Sequence, residues 1–163
     1  MKKSIIAFCL TAVVFISFYS CNKDDEDPDA DKALYDATKS GGYTFYQNGN
    51  LLTGASPSPH GSFKLRFNST ALAALDSTGE LSAGKNFPTG SIIVKDVYSG
   101  SNISLYAVMQ KDPSNKNSGS GWVWAEYKTD GSVAFSAGKK GDGCTGCHSG
   151  TPNRDFTRTF DLH

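Results

Sequence analysis

The strongest constraint on this chain is the pentapeptide Cys144-Thr145-Gly146-Cys147-His148 near its C-terminal end. In a C-x-x-C-H sequence the two thiols can add to the two vinyl groups of one haem while the adjacent histidine ligates the iron. A dithiol redox pair or half of a zinc site would use the same two cysteines. A zinc site needs a second pair of ligands, however, and the sequence has no other cluster of Cys or His. The motif therefore predicts one covalent haem c per chain, held by Cys144 and Cys147, with His148 as the iron ligand.

The N-terminal segment is typical of an exported lipoprotein. Two lysines precede an apolar run over residues 5–18, which is shorter than the roughly 20 residues that a membrane-spanning helix needs and fits a secretory signal. The segment closes with Ser20-Cys21, which resembles a bacterial lipoprotein processing site; an ordinary signal that happens to contain a cysteine is the alternative. We therefore predict a signal peptide over residues 1–20 and a lipid on Cys21 that anchors the protein to a membrane. The expected location is the outer membrane, on its periplasmic side or at the cell surface.

The charge of the mature chain is unevenly distributed. Residues 21–31 are acidic and lack large apolar side chains, which predicts a solvated tether. Residues 32–163 form the predicted haem domain and contain 13 Lys and Arg against 10 Asp and Glu. This small positive excess does not indicate a nucleic-acid partner.

The pattern of apolar residues predicts an α+β fold, an antiparallel β-sheet with two or three short helices and a C-terminal haem-attachment segment. Helices are expected over residues 31–40 and within 69–75. Strands are expected over residues 62–68, 91–98, 103–110 and 122–128, with a hairpin at 99–102. In the first strand Phe63, Leu65 and Phe67 share one face, and Lys64 and Arg66 share the other.

Few residues are candidates for a second strong iron ligand. Fifteen residues follow His148, and none of them is Met. Met109 alternates with apolar neighbours and is expected in the core. His60 lies in a turn-like Ser-Pro-His-Gly segment and is expected to be solvated, and His163 is the last residue. We therefore expect an open haem face, at which a small molecule can bind.

Several blocks of the domain resemble the cytochrome P-460 family of small exported c-haem proteins with a sheet-based fold. The blocks are residues 63–66, 87–96, 121–124, the late C-x-x-C-H and residues 155–157. Family enzymes oxidise hydroxylamine and pass the electrons to other cytochromes. The resemblance thus implies a small nitrogenous substrate, a redox-partner cytochrome and a homodimer.

The resemblance also implies roles for individual residues. Lys95 matches the lysine that family enzymes bind covalently to the haem macrocycle, although an edge-strand lysine is the plainer interpretation. Arg66 matches a pocket arginine that donates hydrogen bonds to a ligand on iron, although its alternation equally fits a solvated face. Family enzymes carry a carboxylate at about residues 105–107, where this chain has none. Tyr106 could hydrogen-bond a ligand there, and Glu126 or Asp96 could supply the missing acid.

Three functions remain open at this stage. The first is a hydroxylamine-oxidising enzyme with Lys95, Arg66, Tyr106 and Glu126 at its site. The second is a module that binds nitric oxide or another diatomic gas, like the sister β-type cytochromes c prime, and the missing carboxylate motivates it. The third is an electron carrier with Met109 or a lysine as sixth ligand.

Overall fold

The computed structural model describes residues 25–56, 58–152 and 154–161; Cys21, the predicted signal peptide and His163 lie outside these residues. The described part contains three α-helices and seven β-strands. The helices are α1 (Pro28–Lys39), α2 (Ser69–Leu72) and α3 (Cys144–His148). The strands are β1 (Thr44–Phe45), β2 (Leu52–Thr53), β3 (Ser62–Phe67), β4 (Ile92–Ser99), β5 (Asn102–Lys111), β6 (Trp122–Lys128) and β7 (Val133–Phe135).

The strands form one antiparallel sheet, which confirms the predicted α+β class. Its order is β1-β3-β4-β5-β6-β7, and β2 pairs with the other end of β3. The hairpin at residues 99–102 joins β4 to β5, with Ser99 opposite Asn102. Residues that pair directly across neighbouring strands project from the same face of the sheet. The register therefore decides which of the candidate site residues can meet.

Both faces of the sheet are covered, and each has its own apolar core. On the face that we call the motif face, Phe63, Leu65 and Phe67 pack with Trp122 and Trp124, and Cys144 of α3 packs against this cluster. On the opposite face, which we call the α1 face, Leu34 of α1 packs on the cluster Val94, Val108, Val123, Ala125 and Tyr127. The predicted alternation of β3 is confirmed, because Phe63, Leu65 and Phe67 are each at most 2% exposed.

The first helix begins earlier than predicted. The Asp27 side chain caps it by accepting a hydrogen bond from the Ala30 N–H, and Pro28 occupies the first turn, where a missing N–H costs nothing. Asp31 is 3% exposed, and its carboxylate accepts hydrogen bonds from the Ser136 hydroxyl and the Ala137 N–H. The description of residues 21–31 as a solvated tether is therefore wrong for residues 28–31, which are anchored to the domain. None of the described helices is both long and apolar enough to span a membrane.

Candidate functional site

The C-x-x-C-H motif forms the five-residue helix α3. Positions i and i+3 lie on the same side of a helix, so Cys144 and Cys147 project in similar directions. Cys144 is half-buried against the motif-face core, Cys147 is exposed, and both thiols are free. Burial, together with nearby carboxylates such as that of Glu126, raises the pKa of the Cys144 thiol to about 11. Two free thiols on one helical turn are the arrangement that attachment to a single haem requires.

His148 is held in the protonation state of a metal ligand. Its Nδ1 lies 2.7 Å from the Phe156 carbonyl oxygen, and because a carbonyl can only accept, Nδ1 carries the proton. Burial lowers the pKa of His148 to about 4, so the ring is neutral near pH 7. The lone pair is then on Nε2, as expected of a histidine that ligates a metal.

Trp124 of β6 fixes the imidazole of His148 from the side. The two rings meet edge to face, with 4.9 Å between their centroids. The indole Nε1 donates a hydrogen bond to the Gly119 carbonyl at 2.9 Å. Gly141, at a positive φ of 72°, lies so close that an added Cβ would come within 2.4 Å of the indole. The hydrogen bond to Gly119 and the close packing against Gly141 therefore hold the indole in place against His148.

Lys95 of β4 projects from the motif face. It pairs with Leu65 on one side and with Ala107 on the other, and its Nζ lies 4.2 Å above the centroid of the Phe63 ring. Burial lowers the pKa of Lys95 to about 8, and the negative charge of Glu126 partly opposes this shift. A minor fraction of the amine, roughly a tenth, is then neutral and nucleophilic at pH 7, far more than for an ordinary lysine.

Glu126 of β6 projects from the same face as Lys95, because both residues pair with Ala107 on β5. Burial raises the pKa of the Glu126 carboxyl, and the Lys95 ammonium opposes that shift. On its other side Glu126 meets His60, with 3.7 Å between Oε1 and Nε2. A carboxylate is thus present on the motif face, on β6 rather than on β5.

His60 belongs to this group, and the expectation that it is solvated is wrong. Its side chain is 15% exposed, and burial with the positive charges of Lys95 and His148 lowers its pKa to about 4. Its Nδ1 is buried and has no hydrogen-bond partner among the described residues. An unsatisfied buried nitrogen costs free energy in the isolated chain, and a polar ligand in this space would relieve that cost.

These features fit a haem. Cys144, Cys147 and His148 provide the attachment and ligation set on one helix, and Lys95, Glu126 and His60 form a partly buried polar group on the sheet beside it. Within the part of the chain that the structure describes, no group of three or more His, Cys, Asp or Glu side chains could hold a bare metal ion. A second ligand pair for the zinc alternative is thus not found in residues 25–56, 58–152 and 154–161.

Arg66 and Tyr106 are not part of this group, because both project from the α1 face. Arg66 pairs with Val94, and Tyr106 pairs with Asp96. The Arg66 guanidinium contacts both carboxylate oxygens of Asp96 at 3.1 Å and donates to the Thr38 carbonyl at 2.8 Å. The structure therefore corrects their prediction as site residues; their side of the sheet is covered by α1. Asp96 is likewise unable to supply the pocket carboxylate.

Met109 is buried in the motif-face core, as predicted. Two other features of the site could not be predicted from the sequence. His60 carried no local signal beyond being a histidine in a turn, and only the fold brings it beside Glu126. The Phe156 carbonyl that binds His148 was equally hidden, since a backbone acceptor leaves no trace in the residue type.

The comparison with known proteins agrees with this geometry. The family model described as cytochrome P-460 matches residues 46–159, more than half of the 163 residues. The match includes Lys95, Glu126 and the whole C-x-x-C-H motif, whereas α1 precedes it. No curated protein matches the chain.

Proposed function

Because the chain belongs to the cytochrome P-460 family, whose members bind haem, we propose that it is an exported, lipid-anchored enzyme that oxidises hydroxylamine or a similar small nitrogen compound. In this proposal one haem c is attached through Cys144 and Cys147, and His148 ligates its iron. When bound, the haem supplies an iron that holds the substrate nitrogen and a route for its electrons to a redox-partner cytochrome.

The observation that carries the proposal is the shared face of Lys95, Glu126 and the motif. The gas-binding alternative was motivated by the absence of a carboxylate near the site. Glu126 weakens that motivation, because it shares the sheet face of Lys95 and interacts electrostatically with Lys95 and with Cys144 of the motif. An acid and an imidazole beside the attachment motif form a site that could bind a small polar substrate and move its protons.

Lys95 is the residue that we propose links to the macrocycle. Its buried amine has a pKa of about 8, so the neutral nucleophile is accessible without a further base. Forming an N–C bond removes one hydrogen from the amine and one from a macrocycle carbon, with two electrons in total. A peroxide would take up those electrons as it is reduced to water.

Glu126 is the proposed proton acceptor for the substrate. Removing two electrons from hydroxylamine releases two protons, and both must leave a partly buried site. Burial raises the pKa of Glu126 towards neutrality, which improves a carboxylate as a general base. His60 lies 3.7 Å from Glu126, so its neutral imidazole is placed to interact with the carboxyl group that takes up the proton.

The cellular location rests on the sequence alone, because Cys21 lies outside the described residues. We propose that lipid on Cys21 holds the protein at the outer membrane, facing the periplasm or the cell surface. A Cys21→Ser variant should then move from the membrane fraction to the soluble exported fraction while keeping its haem. Unchanged membrane fractionation of this variant would contradict the anchor.

The decisive experiment is a tryptic digest of the purified holoprotein with mass spectrometry. We expect one haem joined to three points, the two cysteines of the motif and Lys95, together with a red-shifted, broadened ferrous Soret band. A Lys95→Arg variant should keep the two thioether bonds and return the Soret band to the position of ordinary haem c. The control is Lys64→Arg. Lys64 pairs with Asp96 and so projects from the α1 face, and its substitution should leave the spectrum unchanged.

The gas-binding function remains the second candidate, and the same digest separates the two. If the Lys95 peptide is recovered without haem, the enzyme proposal fails. A ferrous spectrum of ordinary haem c that changes on addition of nitric oxide would then support the gas-binding protein. A spectrum that does not respond to any added ligand would instead indicate an electron carrier.

A further inference from the structure

The segment that follows the motif contains two consecutive residues in a strained backbone conformation. Asp155 and Phe156 have φ values of 51° and 65°, in the left-handed region that residues with a side chain rarely adopt. Such a conformation persists only where surrounding contacts fix it. This turn presents the Phe156 carbonyl oxygen to Nδ1 of His148 at 2.7 Å. The strain is therefore located at the hydrogen bond that orients the iron ligand.

A buried ion pair holds this turn against the sheet. The Asp155 carboxylate lies 2.6 Å from Nζ of Lys111, at the end of β5. Its other oxygen accepts a hydrogen bond from the Phe87 N–H at 2.8 Å. Asp155 is 5% exposed and Lys111 is 8% exposed. Lys111 is the last residue of β5 and Phe87 is part of the motif-face core, so the two contacts fix both the position and the orientation of the turn.

We propose that Lys111 and Asp155 are positioning residues that set the electron-donating strength of His148. They hold the Phe156 carbonyl against Nδ1, and a firm hydrogen bond from Nδ1–H makes Nε2 a stronger donor to iron. Stronger donation stabilises ferric over ferrous iron. The ion pair thereby links the end of β5 to the redox behaviour of the site, without contacting the haem ligand itself. This inference rests on the proposed function in so far as His148 is the iron ligand.

The chain contains a matched pair for comparison. Arg66 and Asp96 form a buried ion pair with side-chain exposures of 11% and 6%, against 10% and 5% for Lys111 and Asp155. They project from the α1 face, and the hydrogen bonds of Arg66 go to Asp96 and to the Thr38 carbonyl of α1. Breaking either pair leaves a buried charge unpaired and should cost stability to a similar degree. Only breaking the Lys111–Asp155 pair should change the strength with which His148 donates to iron.

The experiment compares Asp155→Asn with Asp96→Asn in the full-length holoprotein. Asparagine tolerates the left-handed region, so Asp155→Asn removes the charge with little change in backbone preference. The readouts are the iron–histidine stretching band in the resonance Raman spectrum of the ferrous protein and the midpoint reduction potential. We expect Asp155→Asn to lower the band frequency and raise the potential. Asp96→Asn should leave both the band frequency and the potential unchanged, even if the variant unfolds at a lower urea concentration.

A second variant covers the case in which Asp155→Asn does not accumulate. Lys111→Met keeps much of the side-chain volume and should shift the same band and the potential in the same directions. The inference is overturned if the recovered variant, Asp155→Asn or Lys111→Met, has the band frequency and the potential of the wild type. That result would leave the proposed function intact. A wild-type protein without covalent haem would instead overturn the proposed function, and the inference with it.

Discussion

Lys95 and Glu126 face each other across Ala107, the residue of the intervening strand with which both are paired. The residue between them carries only a methyl side chain. Each charge also counteracts the effect of burial on the other, because Glu126 raises the pKa of Lys95 and Lys95 lowers that of Glu126. The two groups are therefore electrostatically coupled, and the amine and the carboxyl group influence each other's protonation in a partly buried site.

Glu126→Gln should reduce the rate of hydroxylamine oxidation, because the amide cannot accept the substrate's proton. The expected loss in kcat/KM is about 10²–10⁴-fold, the usual contribution of a general base. Haem content and the ferrous Soret band should stay unchanged. The measurement is hydroxylamine-dependent reduction of an artificial electron acceptor.

Glu80→Gln provides the control for that measurement. Its side chain is 30% exposed, against 28% for Glu126, and it pairs with Arg154. Similar rate losses in the two variants would mean that Glu126 has no special role in the reaction.

The free energy of unfolding should depend on pH through His60. Its pKa is about 4 in the folded protein, against 6.5 for the unperturbed group. The unfolded chain therefore binds a proton between these values while the folded chain does not, so stability is present above pH 6.5 and is lost as the pH falls towards 4. The loss attributable to this residue is at most about 3 kcal/mol.

The comparison of wild type with His60→Gln isolates this contribution. Urea unfolding of both holoproteins between pH 4 and 7 should give a shallower pH dependence for the variant, because glutamine does not titrate. Parallel curves for the two proteins would show that His60 is not buried as a neutral group.

Gly141→Ala should destabilise the site around His148. The new methyl would come within 2.4 Å of the Trp124 indole, at a φ of 72°. Strain in the backbone and displacement of the indole together should lower the free energy of unfolding by about 2–4 kcal/mol. The measurement is urea unfolding followed by tryptophan fluorescence.

Gly100→Ala is the matched control for the backbone contribution. Gly100 also has a positive φ, 62°, but an added Cβ would have no neighbour within 4 Å. It should cost only the left-handed penalty of about 1 kcal/mol. An equal cost for both variants would argue against the packing of Trp124 on Gly141.

Asp31→Ala should lower the stability of the domain, although the sequence places this residue in an acidic run. It would leave the Ser136 hydroxyl and the Ala137 N–H without their acceptor, a loss of about 2–4 kcal/mol for two buried hydrogen bonds to a charged group. Asp29→Ala, on the exposed side of the same helical turn, should change the free energy of unfolding by less than about 0.5 kcal/mol. Urea unfolding of the two variants decides between an anchored helix and a solvated tether.

Much of the sheet was predictable because each central strand has its own pattern. In β3 the alternation of Phe63, Leu65 and Phe67 with polar residues is complete, and the observed strand ends within one residue of the predicted one. The short strands β1, β2 and β7 were not predicted, since two or three residues carry no period. The early start of α1 was also missed, because Asp31 resembles its acidic neighbours in sequence and differs from them only in its buried hydrogen bonds.

The sequence by itself determined the chemistry of attachment and the fold class. Five consecutive residues ending in His148 specify a haem motif, and local alternation specifies strands, because both depend on near neighbours in the chain. Only the tertiary structure decided which other residues join that motif. Sheet register places Lys95 and Glu126 on the motif face and Arg66 and Tyr106 on the α1 face. Because side chains alternate from one face of a sheet to the other, a single position along a strand reverses a residue's role, and that choice is fixed by packing between distant segments.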